Sequence, residues 1–190
     1  MKTKHLICLV TAIFLFTGCE VHMGPSEYWS KLFRTQTDSD YYRGKSEKLV
    51  KKISKGLVEY DINRIAIIDL VDEGGNVPIL GEYMSSRVVE ATTNNSYLRK
   101  KNFRVTQKGE INQVMAQLNL KPTFFYTKNE LKNLGKALQS EAILTGKITD
   151  LGTNLDVHLS LTDVVTGEVI ASATENLNRT KFAVEMLRRH

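Results

Sequence analysis

The apolar period changes once along this chain, and that change restricts it to a few folds. Residues 64–70 (RIAIIDL) form a short, β-branched run with almost no alternation, the pattern of a strand covered on both faces. Residues 154–163 (NLDVHLSLTD) alternate instead: Leu155, Val157, Leu159 and Leu161 fall on one side, and Asp156, His158, Ser160 and Thr162 on the other. Such a strand has one face on a core and one wetter face. Buried strands early and half-wet strands late predict a mixed sheet, parallel first and antiparallel last.

The segments between fill in that frame. Ser46 and Glu47 can cap a helix carrying Leu49, Ile53 and Leu57 on one face. After the first strand, residues 72–76 (DEGGN) turn the chain, and Pro78 suits the first turn of a helix with Leu80, Tyr83, Met84, Val88 and Ala91 on one face. Asn94, Asn95 and Ser96 close it. Residues 103–107 (FRVTQ) predict a second strand, reached by a right-handed parallel crossover. Ile111, Val114, Met115 and Leu118 then repeat at helical spacing up to Pro122. Thr127 and Glu130 have capping-box spacing ahead of Leu131, Leu134 and Leu138, and Gly135 would permit close packing. Strands follow at residues 142–150 (AILTGKITD), 154–163 and 168–174, the last two joined by a hairpin in which Gly167 supplies positive φ. A short basic helix over about residues 180–189 ends the chain. The expected fold is α+β: a mixed five-stranded sheet with a β-α-β-α-α-β-β-β core, helices mainly on one face, and flanking N- and C-terminal helices.

The N-terminus addresses location. Lys2 and Lys4 precede an apolar run of eleven residues, 6–16 (LICLVTAIFLF), which is short of the roughly 20 needed to span a bilayer and reads as a secretory signal. Phe16-Thr17-Gly18-Cys19 resembles the bacterial lipobox, with Phe16 where that motif prefers Leu. Cleavage would make Cys19 the acylated mature N-terminus and membrane anchor, carrying palmitate or a related chain. Once the signal leaves with Cys8, Cys19 is the remaining sulfhydryl, so no disulfide framework or cysteine metal site is expected. Glu20 is not the aspartate that retains lipoproteins at the inner membrane, so the expected place is the outer membrane, domain toward the periplasm. The chain divides into a signal (1–18), a tether (19–45) and one domain (46–190). Tyr28, Trp29, Phe33, Tyr41 and Tyr42 in the tether either sit at the lipid interface, pack on the domain or bind a partner.

The folded part resembles the FlgO family of bacterial outer-membrane lipoproteins over about residues 63–174. The motifs that carry the likeness are RIAIIDLVDEGG, LGEYMSSRVVEAT, KNFRVTQKGEINQVMAQLNL, LGKALQSEAILTGKITDLG and HLSLTDVVTGEVIASAT. Related sheets occur in the curli secretion channel, the TolB amino-terminal domain and the lipoprotein that activates a penicillin-binding protein. The resemblance implies a non-enzymatic binding or assembly module of the envelope that supports flagellar outer-membrane structure and motility. Its partners would be flagellar ring components or other envelope proteins, and a homo-oligomer is compatible with it. The alternative it implies is a regulator of peptidoglycan synthesis. For that role the tether is short, about 90 Å when fully extended. A pore is disfavoured, because no spare alternating hairpin exists outside the sheet.

Chemistry is sparsely signalled. Asp69, Asp72 and Glu73 cluster after the first strand, where open α/β sheets bind ligands, and could hold a divalent cation or serve a small-ligand or hydrolytic site; a polar strand-to-helix turn explains them better. Neither phosphate-loop nor dinucleotide glycines accompany them. His5, His22, His158 and His190 lack ligand spacing. Ser85 and Ser86 lack the nucleophile-elbow context. No catalytic residue, cofactor or metal is expected. Removing residues 1–18 lowers the formal charge from +5 to +3, because Lys2 and Lys4 leave. The basic clusters Lys51-Lys52, Arg99-Lys100-Lys101 and Arg188-Arg189 are short and read as solvated faces, so no nucleic-acid partner is expected.

Overall fold

The computed structural model describes residues 38–190; the signal, Cys19 and the tether through Thr37 lie outside the described residues. Its elements are α1 (Asp38–Glu59), β1 (Arg64–Ile67), α2 (Ile79–Asn94), α3 (Ser96–Lys100), β2 (Arg104–Val105), α4 (Lys108–Gln117), α5 (Lys128–Leu138), β3 (Ala142–Asp150), β4 (Asn154–Asp163), β5 (Val169–Asn178) and α6 (Lys181–Arg188). The five strands lie in the order β2-β1-β3-β4-β5. β1 runs parallel to both β2 and β3, and β3, β4 and β5 form an antiparallel meander. The mixed α+β sheet read from the change of period is therefore the fold.

Local chemistry accounts for several boundaries. Thr127 accepts from the Glu130 N–H while Glu130 accepts from the Thr127 N–H, the reciprocal box that starts α5. Gly167 turns the β4–β5 hairpin at φ 74°. Several boundaries differ from expectation: β1 ends at Ile67 rather than Leu70, and β2 is shortened from 103–107 to Arg104–Val105. The first helix begins at Asp38, not Ser46: Asp38 and Asp40 charge its first turn, and Tyr42 is buried edge-on to Tyr83. Ser46 is thus mid-helix, and its hydroxyl is the buried side-chain oxygen left without a partner among the described residues. A short helix, α3, follows α2, with Asn95 accepting from the Tyr97 and Leu98 N–H groups. α4 stops at Gln117, ahead of Pro122, because Asn119 takes φ 54° and the Leu120 N–H bonds back to the Met115 carbonyl. β5 continues past Thr174 to Asn178, still paired with β4.

The core is split by the sheet. On one face α1, α2 and α6, with Leu98 of α3, cover Ile65 and Ile67 of β1 and the apolar side of the meander. On the other, α4 and α5 cover Ala66, Ile68 and Ile143. Helices lie mainly on the first face, as expected, while the parallel half is covered on both. α5 lies against the segment after β4, since a Cβ at Gly135 would stand 2.6 Å from the Val164 Cβ.

Beyond β1 the chain does not leave the sheet. Ile68 N–H donates to the Leu144 carbonyl (2.9 Å), Val71 N–H to Gly146 (3.0 Å), and Ile148 N–H to Val71 (2.8 Å). Leu70, 1% exposed, fits between two glycines. A Cβ at Gly81 would lie 2.1 Å from the Leu70 carbonyl oxygen, and one at Gly146 would lie 2.6 Å from the Leu70 Cγ. The first approach does not tolerate a side chain without backbone movement, and the second would displace the Leu70 and Leu159 side chains. Gly81→Ala, although it favours helix locally, is expected to destabilise the domain by about 2–3 kcal/mol through overpacking, lowering Tm by about 5–10 °C; a thermal melt that is unchanged or raised contradicts this packing.

Candidate functional site

The carboxyl end of β1 is the place to look for a ligand. β1 connects through α2 on one face to β2, and β2 returns through α4 and α5 on the other face to β3, so the winding reverses between β1 and β3. Open α/β sheets bind ligands in the crevice at such a reversal. Here residues 68–71 stay bonded to β3 and Leu70 closes that side, while a cavity of about 260 Å3 on the β2 side is lined by Asp69, Ser85, Thr106 and Lys108.

Two of the three acids after β1 are held by separate partners. Asp69, with a side chain 13% exposed, accepts from the Ser85 hydroxyl (2.6 Å) and lies 3.2 Å from Lys108 Nζ, which also approaches Glu82 at 3.7 Å. Asp72 closes its own turn: its Oδ1 accepts from the Asn76 N–H (2.9 Å), and its Oδ2 lies 3.7 Å from His190 Nε2. Glu73 is exposed. These are the contacts of a strand-to-helix turn. Ser86 donates to the Glu82 carbonyl, as helical serines commonly do; the Ser85 hydroxyl lies 2.9 Å from the same carbonyl, which competes with Asp69 for its single proton. Among the described residues no group of three or more His, Cys, Asp and Glu side chains gathers as a metal would require. Cys19, His5 and His22 lie outside the described residues.

The opposite half of the sheet offers a surface. α4 and α5 do not extend over β4 and β5, so that face of the meander carries cross-strand rows of polar side chains: Lys147, His158 and Thr174, then Thr149, Asp156 and Asn176. His158 Nδ1 lies 2.9 Å from the Thr174 hydroxyl. The α4–α5 loop crosses one end of this face. The Thr145 hydroxyl donates to the Phe124 carbonyl (2.9 Å), Phe124 stacks edge-on to His158, and Phe125 projects into solvent at 79% exposure. Sequence reasoning placed His158 on the outer face and missed the aromatic pair. The signal was an adjacent Phe doublet between a helix end and a capping box, where a loop has no reason of its own to be apolar.

Both sheet edges are blunted. β2 has two residues. β5 is longer, but α1 lies along it: Lys52 Nζ donates to the Thr174 carbonyl (2.7 Å), the Tyr41 hydroxyl accepts from the Asn178 N–H (2.6 Å), and a Cβ at Gly56 would stand 2.6 Å from the Ala171 Cβ. Tyr41 and Tyr42 therefore pack on the domain; Tyr28, Trp29 and Phe33 lie outside the described residues. α2, with its face from Leu80 to Ala91, is packed between α1 and α6 and is not a free surface.

No protein-family model and no curated protein matches the chain. Solved structures do. The LpoB C-terminal domain from Salmonella enterica has a TM-score of 0.54 at 15% identity, covering 73% of this chain and 98% of that chain. The Escherichia coli domain gives the same values. The NMR structure of E. coli LpoB gives 0.53 at 14%, covering 72% and 68%. At these identities the likeness is one of fold. The FlgO resemblance has no matching family model behind it. No helix among the described residues is long and apolar enough to cross a membrane.

The guard on β5 is sensitive to acid. Hydrogen bonding by Lys52, with the charges of Lys52 and Lys45, holds the Glu175 carboxyl below the usual range against the opposing effect of burial. Arg179 likewise lowers Asp150. A carboxylate with a depressed folded pKa contributes stability above its unfolded value, near 4.3 for Glu, and loses it as pH falls through the folded value. Stability should therefore decline from about pH 4.5 downward, and Lys52→Met should make the decline shallower. Denaturant unfolding between pH 3 and 7 measures it; parallel profiles for the two proteins would refute the coupling.

Proposed function

We propose that this chain is an outer-membrane lipoprotein, acylated at Cys19, whose domain acts by binding another envelope protein and thereby regulates peptidoglycan synthesis. The observation that carries the envelope-lipoprotein part of this reading is the fold shared with the LpoB C-terminal domains across nearly the whole of those domains; the peptidoglycan role is the alternative that the sequence resemblance implies. The engagement of Asp69 and Asp72 by separate partners supports action through a surface rather than through acid chemistry beside β1. Eighteen residues separate Cys19 from Asp38. Fully extended they reach at most about 65 Å, so the partner must approach the outer membrane. The flagellar reading rests on the motif resemblance alone.

The surface best suited to the partner is the open face of the meander. Edge pairing is hindered on both sides, α2 is packed, and Phe125 is a large exposed aromatic beside ordered polar rows. Its ring would enter an apolar pocket on a folded partner, with the rows matching hydrogen-bonding groups around it.

Two experiments test this. Cys19→Ser should leave the precursor uncleaved by the lipoprotein peptidase and free of acyl label; labelled mutant protein sinks the anchor. Crosslinked capture from membranes with Cys19 intact should recover a penicillin-binding protein, and Phe125→Ser should lower that recovery by about tenfold or more while leaving the thermal melt unchanged. Recovery of flagellar ring proteins in its place would overturn the cell-wall reading in favour of the flagellar one.

A further inference from the structure

The end of the domain at which the chain enters carries a cationic groove that none of the roles above uses. α6 buries Ala183 and Leu187 and turns Lys181 and Arg188, two turns apart on one side, toward solvent. Together with Arg179, Val184, Glu185 and Arg189 they line a groove of about 460 Å3. The groove holds four cations, and two of them meet carboxylates directly: Arg179 donates to Asp150 through Nε (2.8 Å) and Nη2 (3.0 Å), and Arg189 faces Glu185 at 3.6 Å. Among the described residues Lys181 makes no ion pair, and Arg188 acts on Asp150 only through its charge, without a direct contact.

Apolar tips flank this charge. The Asp150–Arg179 clasp joins the β3–β4 turn to the start of α6, so Leu151, 56% exposed, lies on one side of it and Phe182, 53% exposed, on the other. The chain enters at the same end. Tyr41, in the first turn of α1, accepts the N–H of Asn178, the residue before Arg179. Asp38, which the expected anchor at Cys19 precedes by eighteen residues, therefore lies beside the groove. Cations interleaved with exposed Leu and Phe on a short amphipathic helix are the chemistry of a membrane-surface contact. A buried protein interface would be a poor fit, since Lys181 has no ion-pair partner there and would need desolvation.

We infer that this end of the domain docks on the membrane surface, with Lys181, Arg188 and Arg189 on the phosphate headgroups of anionic lipids and Phe182 and Leu151 in the interface. The inference rests on the anchored reading for its setting, but the groove and its contacts do not depend on acylation. Docking would hold α6 against the leaflet and restrict the directions in which the remaining surfaces can point.

The test uses residues 19–190 with Cys19→Ser, which removes acylation and retains everything after the signal. Co-sedimentation with vesicles of phosphatidylglycerol and phosphatidylcholine, against phosphatidylcholine alone, should show binding to the anionic vesicles only, lost at high salt. Each basic residue near such a surface contributes roughly a fivefold gain, so Lys181→Gln with Arg188→Gln should weaken binding about thirtyfold. Phe182→Ser should weaken it several-fold without changing the melt. No binding to anionic vesicles, equal binding by the double variant, or full competition by inorganic phosphate at constant ionic strength would overturn the inference, the last by showing a free-phosphate site. Mass analysis of the wild-type N-terminus separates the two claims: an acylated wild type whose Cys19→Ser form ignores vesicles defeats only the groove, and an unmodified wild type whose domain binds them defeats only the anchor.

Discussion

The structure depends on the close approach of Leu70 to Gly81 and Gly146. The Leu70 carbonyl lies against a helix backbone where a methyl group would intrude to 2.1 Å, and its side chain lies against a strand where one would intrude to 2.6 Å. Burial of the leucine itself stabilises by about 2 kcal/mol. Its larger effect is positional. With Leu70 seated, residues 68–71 keep their three bonds to β3, α2 can begin at Ile79, and Asp69 comes opposite Ser85 and Lys108. A larger residue at Gly146 would displace the Leu70 and Leu159 side chains, and one at Gly81 would push α2 off the sheet and reopen the crevice at the winding reversal.

Closing that crevice leaves the two halves of the sheet with different tasks. Around β1 the parallel half is covered on both faces, as its unbroken apolar run requires. The meander is covered on one face, so its other face meets water. Since α1 guards the long edge and the short edge has two residues, another chain cannot readily extend the sheet. The proposed recognition would therefore run through side chains, which can be selective, and not through main-chain pairing, which is less so.

How much of this was legible depended on whether the cause was local. The alternation in β4, the Thr127 and Glu130 box and Gly167 act within a few residues, and each element they specify formed where the pattern placed it. Ser46 misled because a serine before a basic amphipathic stretch has the form of a cap; the burial of Tyr42 against Tyr83, a long-range contact, carries the helix back to Asp38. The extra residues of β5 exist because α1 lies along them, which no window around Thr174 reveals. Gly81 carried no signal either: within a helical pattern it reads as a small loss of propensity, and its reason is a carbonyl in another segment. The acids after β1 were visible as a cluster, but their separate partners, Ser85, Lys108, Asn76 and His190, come from three different parts of the chain.

The open face is suited to binding for a reason beyond exposure. A surface of free polar side chains must lose rotamer freedom on association, at about 0.5–1.5 kcal/mol for each flexible chain immobilised. Here much of that ordering is already complete. His158 is bonded to Thr174, Asn154 donates to Asn176 at 2.7 Å, and Thr145 fixes the loop that presents Phe124 and Phe125. Lys147 is the long side chain in these rows, and its ammonium lies 5.9 Å from the Phe124 ring centroid, close enough for attraction to the aromatic face. The loop therefore does more than cover one end of the sheet: by ordering a cation and two strands of hydroxyl, imidazole and amide groups in advance, it converts a wet sheet face into a preorganised one, with Phe125 left free as the apolar contact.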